Sequence, residues 1–284
     1  MSLVDAPPVS KAATTGWSLI GTSPTSAVVN ARAVTFNGRL WGLGASPSSS
    51  VVSSPDGLNW KSNASLPWRT SAAACAHDGA LWVTGGALEE ATSDVFSSAD
   101  GVHWTHTVAP WPPRFGHCVV SDGDHITLFG GRTMTGTFYD DVWVSKDGIT
   151  WTAAGKADIS TNGAAAVVGP DLCLINTNSA WVHWFSGGKW REPETAPWPA
   201  PRVSPGVAVI DDVLYLVGGG VGGAPSNDMW SATGPGTWAA QPSGPWTGAL
   251  SGIGCGELNG SLIVFGGADA RGTARPEIYR YTPG

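Results

Sequence analysis

Short apolar runs recur along the chain at nearly even intervals. They are Leu40–Gly44 (LWGLG), Leu81–Gly86 (LWVTGG), Ile126–Gly131 (ITLFGG), Leu172–Ile175 (LCLI), Leu214–Gly219 (LYLVGG) and Leu262–Gly267 (LIVFGG). Their starts lie 41, 45, 46, 42 and 48 residues apart. A period of this size marks a repeat architecture, in which no single unit buries its own apolar face.

A polar pattern runs in phase with the apolar one. Most runs are followed by a turn and a tryptophan: Asp56-Gly57 with Trp60, Asp100-Gly101 with Trp104, Asp147-Gly148 with Trp151, Gly187-Gly188 with Trp190 and Pro235-Gly236 with Trp238. Another turn precedes each run, at Asn37-Gly38, Asp78-Gly79, Asp122-Gly123, Pro170-Asp171, Asp211-Asp212 and Asn259-Gly260. Asp-Gly and Gly-Gly supply the positive φ of tight hairpins, so each turn marks a strand pair. Upstream of these turns sit small and β-branched residues, as in Ala72–Ala76 and Gly206–Ile210. One period therefore reads as four antiparallel strands, a to d, with the glycines ending b and the tryptophan on d. Four such strands form a propeller blade.

The ends give the blade count. The last period has strand a near Ser251–Leu258, b at Leu262–Gly267 and c at Glu277–Tyr281, and then stops without a tryptophan. The missing strand d is predicted near the N-terminus, around Trp17. Closure of the C-terminal blade by this segment removes two exposed sheet edges. The prediction is all-β: one six-bladed propeller over 15–284, with 1–14 as a flexible tail.

Within this frame, Pro112–His117 (PPRFGH), Phe129–Gly131, Asp141–Trp143 (DVW) and Trp151 closely resemble a kelch repeat. Arg202, Val217–Gly219, Trp230 and Trp238 match more loosely, as do Gly266, Gly267 and Tyr279. The fourth blade departs most, with Ile175–Asn178 in place of the double glycine, and the first has only Gly42 and Gly44.

Composition narrows the function classes. The chain has 39 Gly and 21 Pro and only 13% charged residues, which suits strands and turns rather than charged helix faces. A net charge of −7 and a pI near 5.2 argue against a nucleic-acid surface. No basic start leads into an apolar core and no run is long enough to span a bilayer, so the expected location is cytoplasmic. Cys75, Cys118, Cys173 and Cys255 fall in different blades and read as buried thiols. Cys118 and Cys255 share a place four residues before their a–b turns.

Positive charge concentrates against this background. A propeller carries its d–a and b–c connections on one face, around the mouth of the central channel. Six of ten arginines fall in these connections. The kelch resemblance implies ligand-binding roles for those in d–a connections, Arg69, Arg114 and Arg202. Arg32 lies near the same level, and the b–c loops add Arg132, Arg271 and Arg275. Arginine's planar fork recognises carboxylates and phosphates bidentately, so the expected ligand is an anionic small molecule or an acidic partner segment. The alternative is internal: Asp140, Asp141, Asp228 and Glu277 are available as partners. The same connections repeat Pro-Trp pairs at Trp68, Trp111, Trp198 and Trp246, read as wedges between blades or as stacking platforms.

Candidate chemistry is sparse. His117 follows Arg114 at the entry of a strand and is the best acid–base candidate. Tyr139 lies on the b–c loop of blade three, and Glu257 lies on an inner strand where a carboxylate needs a partner. No metal spacing, nucleophile elbow or phosphate loop is visible, and no metal or cofactor is expected. Three readings follow. The first is a monomeric binding module for an anion. The second is a metal-free isomerase or cyclase, by resemblance to kelch-like sugar-acid mutarotases. The third is a lectin using its tryptophans.

Overall fold

The computed structural model describes residues 15–23, 29–45, 50–65, 67, 71–87, 89–157, 164–176, 179–198, 201–221, 224–246 and 250–284. The expected tail, Trp68 and Arg69 lie outside the described residues.

Six four-stranded antiparallel blades form a ring. The inner strands, in blade order, are Arg32–Phe36, Ala73–His77, Cys118–Ser121, Ala164–Val168, Gly206–Ile210 and Ser251–Leu258. Each packs beside the next, and the sixth packs back on the first. The apolar runs form the second strands and carry the most deeply buried positions, among them Leu40, Leu81, Ile126, Leu214 and Leu262, each with no exposed surface. The N-terminal strand Gly16–Thr22 pairs with Glu277–Thr282 and completes the sixth blade, as the tryptophan count predicts.

The tight turns follow the sequence. In blades one to three the third strand ends in Ser-x-Asp-Gly. Asp56, Asp100 and Asp147 each accept two backbone N–H bonds from the turn and one from the serine hydroxyl. Blade four differs. Its outer edge is split into Lys189–Trp190 and Glu194–Thr195, both pairing with Trp181–Ser186.

Pro-Trp pairs act as wedges. Trp111, Trp198 and Trp246 are buried, and each stands edge-on against the fourth-strand tryptophan of the following blade. The partners are Trp151 at 4.4 Å, Trp238 at 5.1 Å and Trp17 at 5.3 Å, with interplanar angles of 85° to 90°. This is the favoured geometry for aromatic pairs. It leaves these rings no face for a sugar, which removes the main support for the lectin reading.

One expectation from spacing is corrected. Cys118 pairs across its blade with Phe129, whereas Cys255 pairs with Val264. The Asp122–His125 turn is two residues longer than the Asn259-Gly260 turn, so counting back from the turn put the two cysteines in false register. All four cysteines are buried, and no disulfide joins them. Among the described residues no helix is long and apolar enough to cross a membrane.

Candidate functional site: the channel mouth

The inner strands start level with one another. Arg32, Ala73, Cys118, Ala164, Gly206 and Gly254 each face the fourth residue of their own blade's apolar run. Five of these six positions are Ala, Cys or Gly, and the sixth is arginine. Small side chains there leave a cavity of about 140 Å³ at the mouth of the channel, lined by Arg32, Ala73, His117, Cys118, Ala164 and Gly206 among others.

Arg32 is half-buried, and its Nε donates to the Ala72 carbonyl at 3.0 Å. Among the described residues no carboxylate lies within ion-pair distance of it. Burial pulls its pKa below the ordinary arginine value, with Cys118 opposing. A cation taken from water without a counter-ion is costly, and a bound anion would offset that cost.

His117 is wholly buried beside it. Its ring is seated by the double glycine of blade two. A Cβ at Gly85, whose φ is +56°, would come within 2.5 Å of the His117 Cε1. Nε2 lies 2.8 Å from the Thr84 hydroxyl, and Nδ1 has no hydrogen-bond partner among the described residues. Burial, then Arg114 and Arg32, push the imidazole pKa down to about 3, so His117 is neutral near pH 7.

Arg114 and Arg202 are arranged otherwise. Both are buried. Arg114 grips Asp141 with both Nη atoms, at 2.6 and 2.7 Å, donates to the Gly130 carbonyl at 2.8 Å, and has the Tyr139 ring 4.3 Å from its Cζ. Arg202 repeats this with Asp228 at 2.7 and 2.6 Å and the Gly218 carbonyl at 2.6 Å. Each aspartate also accepts an indole N–H, from Trp143 or Trp230. The two guanidiniums are therefore engaged inside their own blades, through the aspartates that the sequence offered as internal partners. Neither lines the mouth cavity.

The remaining candidates are spread apart. Arg132 packs over Phe115, with its Cζ 4.7 Å from the ring centroid, and Arg271 is exposed on the loop of blade six. Arg275 pairs with Glu277 and Asp269. The Tyr139 hydroxyl donates to the Pro113 carbonyl at 3.4 Å. Glu257 accepts the Gly260 N–H at 2.8 Å, capping its own turn. It stands three residues past Gly254, which is about 10 Å of strand away from the mouth. His117, Tyr139 and Glu257 are thus not brought together as an acid–base set. Among the described residues no group of His, Cys, Asp or Glu is placed to hold a metal ion.

Sequence reasoning missed the level ring of small residues and the Thr84–His117 contact. The ring was findable by counting four residues into each apolar run.

Ring, blade closure and double-glycine seats together define the class: a six-bladed β-propeller carrying a kelch motif. A family model described as Kelch motif matches residues 201–231, the stretch that holds Arg202, Gly218-Gly219 and Asp228. Among solved structures, one titled "Structure of YjhT" superposes with a TM-score of 0.77 at 17% identity, covering 92% of this chain and 96% of that one.

Proposed function

We propose that this propeller binds a small anionic molecule at the channel mouth, with Arg32 as the cation that recognises it. The observation that carries the reading is the sidedness of Arg32. It is the one charged residue in a ring of Ala, Cys and Gly, and no carboxylate among the described residues neutralises it. A cavity of about 140 Å³ suits one carboxylate or phosphate group with a short carbon skeleton. Arg132 and Arg271, on loops of the same face, add positive field around the entrance. With its pKa down at about 3, His117 is a weak base and carries no imidazolium proton near pH 7, which favours binding over acid–base turnover.

The test is a thermal-shift screen with pyruvate, sugar acids, inorganic phosphate and neutral sugars. An anion at about 100 times its Kd stabilises by about 2.7 kcal/mol, seen as a raised Tm. The expected result is a shift confined to anions, weakened by salt and absent in Arg32→Ala. An equal shift with neutral sugars, or one that survives Arg32→Ala, overturns the reading.

A further inference from the structure

One contact recurs at three of the six seams between blades and is absent between blades three and four. Trp41 and Trp82 stand second in the apolar runs of blades one and two. Each indole covers the turn glycine of the next blade's Ser-x-Asp-Gly. A Cβ at Gly101 would lie 2.0 Å from Trp41, and one at Gly148 would lie 2.3 Å from Trp82. Ile263 of blade six covers Gly57 of blade one in the same way, at 2.9 Å.

Between blades three and four both halves of this contact are missing. Blade three has Thr127 in the tryptophan's place. Blade four has Phe185 where the turn serine belongs, since Phe185 pairs with Leu172 as Ser145 pairs with Ile126. Its turn shortens to Gly187-Gly188, and among the described residues nothing from blade three lies within 4 Å of a Cβ built at either glycine. Blade four's own residue at the wedge position, Cys173, is also small, but it is wholly buried in a cluster with Trp184 and Trp198.

What remains at the third seam is a cavity of about 330 Å³. Its walls include Phe129, Leu172, Phe185 and Trp190, and Trp190 stands edge-on to Phe129 at 6.2 Å and to Phe185 at 5.4 Å. Phe185 is 36% exposed. Two carboxylates, Asp122 and Asp171, line the cavity from the a–b turns of the two blades. The lysine that also lines it, Lys156, is paired with Asp140 at 2.7 Å.

We propose that this cavity binds a planar aromatic amine: a ring of indole size with a cationic ammonium group. The ring takes the place that Trp41 and Trp82 fill in the neighbouring seams, against walls suited to edge-on aromatic contact. The ammonium meets Asp122 and Asp171. The site is separate from the channel mouth and selects the opposite charge, so it stands or falls independently of anion binding there.

Isothermal titration with tryptamine, indole and indole-3-acetate tests it. Tryptamine is expected to bind most tightly, indole next, and indole-3-acetate least. Asp171→Asn is expected to weaken tryptamine about threefold and to leave indole unchanged. Thr127→Trp supplies the missing wedge and is expected to abolish binding of all three while raising Tm. Should that variant fail to fold, Thr127→Leu narrows the same slot, and at least a tenfold loss of tryptamine affinity is expected. No tryptamine binding by the wild-type chain overturns the proposal, as does unchanged affinity in a folded Thr127 variant. Equal affinity for tryptamine and indole-3-acetate overturns the assignment of an amine.

Discussion

Arg114 and Arg202 differ from Arg32 in everything except residue type. The first two enter their blades from connecting loops, each meets an aspartate two residues before a third-strand tryptophan, and both are sealed in. Arg32 stands inside a strand, at a position its five counterparts give to small residues, and among the described residues its hydrogen bond goes to a carbonyl. Paired arginines hold a propeller's blades in shape; an arginine without a carboxylate holds a place for something else. Location on one face, which made all of them look alike along the chain, does not separate the two kinds. The partner does.

That contrast can be broken most forcefully at Arg114. Arg114→Ala leaves Asp141, Trp143 and the Gly130 carbonyl without their donor or neighbour, and is expected to cost about 3–5 kcal/mol in urea unfolding. Once refolded at low temperature, the variant should keep its anion response.

Acid exposes the same pairs more gently. Burial alone would raise the Asp228 pKa, but its bonds from Arg202, Ser226 and Trp230 hold it down to about 2, below the ordinary value of about 3.9. Its contribution is therefore present above about pH 4 and lost as pH falls towards 2. Asp228→Asn should lower the urea midpoint at pH 7 and flatten its decline between pH 4 and 2.

His117 acts over a higher window. Its folded pKa of about 3 lies below the ordinary 6.5, so protonation favours the unfolded chain, and stability is lost progressively below pH 6.5. His117→Gln should flatten the midpoint between pH 6.5 and 4.

The smallest effect on stability is expected at Arg32. Arg32→Ala should change unfolding free energy by no more than about 1 kcal/mol while removing the anion-induced Tm shift. A loss as large as that at Arg114 would place Arg32 among the structural arginines and end the contrast.

The fold was readable because its signals are local and repeated. Trp17 was assigned to the sixth blade simply because Tyr281 lacked a following tryptophan, and the two pair directly. The site was less readable because its logic is relational. The prolines before Arg114 mark a connecting loop, but they do not say whether the guanidinium is paired. What does is Asp141, 27 residues on, and the spacing recurs between Arg202 and Asp228 at 26. That recurrence, Arg then Gly-Gly then Asp-x-Trp, stood in the sequence as a marker of internal pairing. Turn length hid the cysteine register, since one loop of different size shifts every count made from it. The third seam needed both blades at once, because Thr127 is unremarkable until Phe185 is set against it.

Closure of the ring by Gly16–Thr22 has a consequence in time. The strand it pairs with, Glu277–Thr282, is translated about 255 residues later, the interval from residue 22 to residue 277. At ordinary elongation rates of about 5–20 residues per second, the first strand waits roughly 13–50 s for its partner to be made. Through that interval five blades can assemble in order, each on its predecessor, while the growing array ends in an uncovered blade face at either side and Gly16–Thr22 lacks its partner strand. The sixth blade thus sets the timing of this ring's closure, which must wait until Glu277–Thr282 has been made.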